Sequence, residues 1–240
     1  MKTHSKLTLK TALLSASLAG IFAVTAPAAN INWQTPQTIS GAADVSTSGT
    51  FFGSWAPGND WGGSDYADLF PVNGVTFQAY GTAGANFNFS GAGINMDRYN
   101  GFASPGTADG NYNHLLQTAM FNWNSGGSSL TVNWENLTVG NNYLVQAWLN
   151  DGRGGQSGSS LFTGGANISD PVAIGNGVPG QYIIGTFVAD SGAQSFTMSP
   201  GIMLNILQVR DLTVVPEPSA LALAGFGAVA LIGFRRKASL

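Results

Sequence analysis

Three aspartates, Asp60, Asp65 and Asp68, stand close together in the run Asn59-Asp60-Trp61-Gly62-Gly63-Ser64-Asp65-Tyr66-Ala67-Asp68. With backbone carbonyls they offer hard oxygen ligands, of which Ca2+ takes about six to eight. The spacing departs from an EF-hand loop, which sets acidic or amide groups at alternate positions and closes on a glutamate. Two of these carboxylates would also suit a glycosidase pair, although nothing in the sequence selects which two. A plain solvated loop is the alternative to both. The same stretch is rich in rings: Phe51, Phe52, Trp55, Trp61, Tyr66 and Phe70. A sugar presents a flat C–H face that stacks on such rings and a hydroxyl rim that bonds to carboxylates and amides. Trp55, Trp61 and Tyr66 beside Asp60 and Asp65 fit that chemistry. A second candidate is Asn150-Asp151-Gly152-Arg153, following Trp148, where a bidentate arginine–carboxylate pair can shape a pocket. Against both stands ordinary structure: rings that close the open end of a fold, and an arginine that only neutralises its neighbour.

Nucleophilic catalysis is poorly supplied. Of two histidines, His4 lies in the N-terminal segment, which leaves His114 beside Leu115 and Leu116. Packing or capping is its expected role, and no Gly-x-Ser-x-Gly elbow is present to build a hydrolase around it. With no cysteine, thiolate chemistry, thiolate metal sites and disulfides are excluded. No cofactor is expected beyond the calcium just considered.

The elements that must position these groups lie between residues 29 and 214. Only Arg98, Arg153 and Arg210 face eleven carboxylates there, a sign opposite to what nucleic acid or an anionic lipid surface requires. Glycine is about twice as common as the usual 7%. Turn signals recur at Asn73-Gly74, Ser125-Gly126-Gly127, Gly140-Asn141-Asn142, Asp151-Gly152, Gly175-Asn176-Gly177 and Pro179-Gly180. Between them Val75, Phe77 and Ala79 alternate with Thr76, Gln78 and Tyr80, and Leu130, Val132 and Trp134 with Thr131, Asn133 and Glu135. Similar runs cover residues 143–150, 182–189, 194–198 and 203–212. This pattern predicts an all-β fold, a single β-sandwich of jelly-roll type over residues 29–212. Residues 143–149, apolar on nearly both faces, predict a central strand covered on each side. Residues 112–122 supply the one expected helix.

Both ends read as addresses. Lys2, Lys6 and Lys10 precede an apolar stretch, residues 11–24, and Ala26-Pro27-Ala28 gives the small-x-small pattern of a signal peptidase site. Residues 1–28 are therefore expected to be a signal peptide, with Ala29 starting the mature chain. At the other end, residues 213–240 hold Val215-Pro216-Glu217-Pro218, an uninterrupted apolar run at residues 220–234, and then Arg235, Arg236 and Lys237. The prolines fix two φ angles and remove two backbone donors, so no helix or strand is expected to pass through them. Counting Ser219, the run makes a helix of about 24 Å, which snorkelling cations can fit to a ~30 Å hydrocarbon core. The basic cluster should stay on the cytoplasmic side and the domain outside.

This order of Pro-Glu-Pro, apolar helix and terminal basic residues resembles the PEP-CTERM sorting signal of exopolysaccharide-producing Gram-negative bacteria. The resemblance implies that an exosortase, a membrane-embedded cysteine transpeptidase, acts near Pro216, Glu217 and Pro218. Those residues would be acted upon and would not themselves catalyse. The stretch Leu137-Thr138-Val139-Gly140-Asn141-Asn142-Tyr143, continuing through Trp148 to Asp151, is similar to the central hairpin of galactose-binding-like and malectin-type jelly rolls. The expectation is a non-enzymatic exported protein, anchored for a time in the inner membrane. Its destination would be the envelope, outer surface or exopolysaccharide matrix of a Gram-negative cell. A carbohydrate-binding, lectin-like module is the alternative, and a secreted hydrolase a third reading.

Overall fold

A computed structural model describes residues 28–57, 69–80, 83–84, 86–122, 128–154 and 158–213. The first part of the chain forms β1 (Asn32–Trp33), β2 (Gln37–Thr38), a 3-10 turn at Ala42–Asp44, β3 (Thr50–Pro57), β4 (Leu69–Val72) and β5 (Val75–Tyr80). Next come β6 (Ala83–Gly84), β7 (Phe87–Ser90), β8 (Asn95–Arg98), a 3-10 turn at Asn100–Ala103, and α1 (Gly110–Leu116). Then follow β9 (Thr118–Phe121), β10 (Leu130–Glu135), β11 (Asn142–Leu149), β12 (Gly158–Gly164), β13 (Asn167–Ile168) and β14 (Val172–Gly175). The last are β15 (Gln181–Val188), β16 (Ala193–Ser199), β17 (Met203–Leu204) and β18 (Ile206–Asp211).

The strands pack as a sandwich. One sheet runs β1-β15-β11-β18-β3-β5-β4, with β2 also on β15; the other runs β13-β12-β16-β10-β7-β6, with β14 on β12. β17, β9 and β8 form a small third sheet. β5 lies parallel to β3. The hairpin between β4 and β5 closes on Asn73 and Gly74 at φ 48° and 73°, the left-handed pair that matches strand twist.

Alternation decides which side chains enter the core. Leu130, Val132 and Trp134 of β10 face inward, as do Phe196 and Met198 of β16, while Thr131 and Thr197 pair on the outer face. β11 is the central strand of its sheet and is buried from Tyr143 onward. Its Tyr143, Val145, Ala147 and Leu149 join the inter-sheet core with Trp134, Phe162, Phe187 and Phe196. Its Trp148 faces the other way, into a second cluster with Ile206, Phe77, Tyr112, Leu115 and Leu116. The first sheet is thus covered by the second sheet on one face and by α1 on the other. Each of these large side chains stabilises the fold by about 1.5–3 kcal/mol when fully buried.

Two expectations need correcting. The helix expected over residues 112–122 ends at Leu116, and Thr118–Phe121 is strand. Asp109 caps its start, accepting from the Tyr112 N–H at 2.8 Å. Beyond it, the residues from Thr118 pair with β8 and β17, and that ladder overrides a helical spacing. The run over residues 203–212 is broken at Asn205 into β17 and β18. Among the described residues no helix is long and apolar enough to cross a membrane. The signal segment up to residue 27 and the apolar run after residue 219 lie outside the described residues.

Candidate functional site

Trp55 and Trp148, candidates for stacking on a ligand, are fully buried. Trp55 packs on Phe89, with ring centroids 4.3 Å apart, and Trp148 lies between Phe77 and Tyr182, each at 6.1 Å. The cause is strand alternation: both indoles point into a covered face of the first sheet, so neither meets solvent. Both are core residues. Asp60, Trp61, Asp65, Tyr66 and Asp68 lie outside the described residues, and the calcium expectation lies there with them. Among the described residues no group of three or more histidines or carboxylates is placed to hold a metal. His114 stacks on Phe70 at 5.6 Å, the packing role expected of it.

Asp151 and Arg153 do form the bidentate pair. The Arg153 Nε donates to Asp151 Oδ1 at 2.8 Å, and a terminal guanidinium nitrogen donates to Oδ2 at 2.5 Å. Asp151 is buried and Arg153 half-buried. The guanidinium lies 4.7 Å from the centre of the Phe102 ring and 5.8 Å from that of Tyr99. Tyr99 is 53% exposed. The site is an aromatic face open to water, a planar cation against it, and a carboxylate holding the cation in place. Stacking and charge-assisted hydrogen bonding are what such a surface supplies.

Its supports are rigid. The Asp151 N–H donates to Ile174 O at 2.6 Å and the Gly152 N–H to Phe102 O at 3.0 Å. Asn150 sends its amide to Phe102 O and accepts from the Gly180 N–H at 2.7 Å. Asn205, at the break between β17 and β18, accepts the Asn150 N–H at 2.6 Å and donates to Leu116 O, Thr118 O and Asn150 O. One buried amide therefore joins the end of α1, the start of β9 and the end of β11. Sequence reasoning missed Tyr99, Phe102 and Asn205. The ring pair in Tyr99-Asn100-Gly101-Phe102 and a lone amide inside an apolar run were the available signals.

The other end of β11 carries a different arrangement. Across the β11–β18 pair, Gln146 stands opposite Gln208 and Leu144 opposite Arg210. Gln146 and Gln208 hold the backbone of Asp44 and Ser46, and Arg210 donates to the carbonyls of Thr47, Ser48 and Gly49. Burial lowers the Arg210 guanidinium from its ordinary value. Burial likewise pushes the Tyr112 phenol far above its ordinary range, with the Asp44 carboxylate adding to the effect. Where the chain leaves the sheet, the Thr213 N–H donates to Asp211 Oδ1 at 2.8 Å and the Asn141 amide to Oδ2 at 2.7 Å.

No curated protein matches this chain. A search of solved structures found a weak likeness to a chain from a study of carbohydrate-binding modules of the β-sandwich superfamily. It is 11% identical, with 74% of this chain and 98% of that one covered, at a TM-score of 0.16. Residues 214–237 match the family model for the PEP-CTERM protein-sorting motif. That motif begins at the residue after Thr213, where the clamped end of the sheet stops. The chain thus carries a PEP-CTERM sorting motif directly behind its sandwich, and the motif marks an exported, envelope-associated protein targeted to an exosortase.

Proposed function

We propose that this is a non-enzymatic surface or matrix protein of an exopolysaccharide-producing Gram-negative bacterium. Signal peptidase removes the leader at Ala26-Pro27-Ala28. The apolar run then holds the chain in the inner membrane, with Arg235 and Arg236 inside, until an exosortase cuts near Pro216-Glu217-Pro218. The observation that carries the reading is the sorting motif at residues 214–237. Replacing Pro216, Glu217 and Pro218 together should leave the C-terminus uncut in a host that has the sorting enzyme. Continued processing of that triple variant would refute the assignment.

A second reading, a carbohydrate-binding module, is favoured by one feature: the exposed Tyr99 ring against the Asp151–Arg153 pair. Affinity electrophoresis through polysaccharide gels tests it. Retardation that Tyr99→Ala and Arg153→Ala each weaken supports sugar binding at this surface, and free migration through every polysaccharide removes it.

A further inference from the structure

Six large apolar side chains stand exposed among the described residues: Phe51, Tyr99, Val139, Ile168, Val178 and Val188. Three of them collect where β18 runs out. Val188 is the register partner of Asn142, the first residue of β11, and Phe51 is the partner of Arg210. Val139 lies in the preceding turn, whose Gly140 N–H bonds to Ala189 O at 2.8 Å. Their exposures are 47% for Phe51, 61% for Val139 and 56% for Val188. Tyr99 and Val178 sit at the far end, beside Asp151 and Gly180, about 25 Å away along the eight residues of β11.

The distance from this end to the membrane is bounded by chain length. Thr213 is hydrogen-bonded to the sheet, and the apolar run starts at Ala220. However they are arranged, the intervening residues reach at most about 25 Å. Headgroups fill about 5–7 Å of that. An anchored domain therefore keeps Thr213 within about 20 Å of the lipid, and the end at Phe51, Val139 and Val188 that carries it at high effective concentration there. Charge does not supply the contact, because the cation at this end, Arg210, is buried against backbone carbonyls.

We propose that this end of the sandwich rests on the lipid surface while the chain is anchored, with Phe51, Val139 and Val188 dipping into the headgroup layer. The Asp151–Arg153 and Tyr99 surface is then held outward, toward whatever lies beyond the membrane. The proposal rests on the sorting reading and adds an orientation to it.

The natural chain has no cysteine, so single labels are clean. The full chain, made in a host without the sorting enzyme, is placed in phosphatidylcholine vesicles. Phe51→Cys, Val139→Cys, Val188→Cys and Val178→Cys variants carry a fluorophore, and a headgroup spin label quenches it. Quenching at residues 51, 139 and 188 should exceed that at 178 by about twofold or more. A glycine-serine linker of about 20 residues after Thr213 should remove the difference. Equal quenching at all four positions in chains that float with the vesicles overturns the orientation and leaves the sorting reading standing. Chains that fail to float contradict both.

Discussion

The Asn142 N–H donates to the Thr213 hydroxyl at 2.9 Å, tying the first residue of the central strand to the last residue before the sorting motif. The neighbouring Leu212 N–H reaches Asn142 O at 2.7 Å. β18 lies between β11 and β3, so the sheet is complete only when the chain is built to this point. A cut beyond Thr213 leaves every described strand in place.

Asp211 makes this clamp depend on pH. Burial alone would push its carboxyl up, but hydrogen bonds from the Thr213 backbone and side chain, Asn141 and Tyr143 outweigh it. The net effect is below the ordinary value of 3.8. A depressed carboxyl contributes stability that is present above its unfolded value and lost as pH falls through the folded one. Urea midpoints should thus fall as pH is lowered past 3.8. In Asp211→Asn part of that fall should vanish; identical pH profiles for the two proteins would count against the clamp.

Two glycines are fixed by close approach. A Cβ on Gly152 would lie 1.3 Å from Ser104 O, and one on Gly49, at φ +71°, 2.2 Å from Asp211 O. Alanine at either should cost about 2–3 kcal/mol, read from chemical denaturation. Gly110, in the first turn of α1, has open space around it, and alanine there should stabilise by about 0.5–1 kcal/mol. Equal effects at all three would contradict the packing described.

Asn205 should matter more than its size suggests. Leucine in its place strands the Asn150 N–H and removes the donor to the carbonyls of Leu116, Thr118 and Asn150. At about 1–3 kcal/mol for a buried orphaned group, Asn205→Leu should lose roughly 3 kcal/mol. A loss under about 1 kcal/mol in urea unfolding would show that these bonds are replaceable.

Sequence carried the sandwich well wherever one face of a strand is buried and the other wet. β10 and β16 show that alternation, and β11 shows its absence because both of its faces are covered. β3 was missed: Gly53 and Ser54 interrupt its apolar residues, and the bulge opposite Val209 and Arg210 breaks its period. The Asp151–Arg153 pair was legible because a single residue, Gly152, separates its members. Tyr99 and Phe102 reach that pair only through the fold. Trp55 and Trp148 were misplaced for a related reason: a tryptophan in a sequence does not declare what covers it. Here a second sheet covers the one, and α1 with β5 the other.

Intact-mass and terminal-peptide spectrometry of the protein recovered from its native host tests the central claim most directly. The account predicts a chain starting at or next to Ala29 and ending near Pro216-Glu217-Pro218, without the apolar run or Arg235-Arg236-Lys237. A mature protein that still carries residues 220–240, in a cell that holds the sorting enzyme, would contradict it.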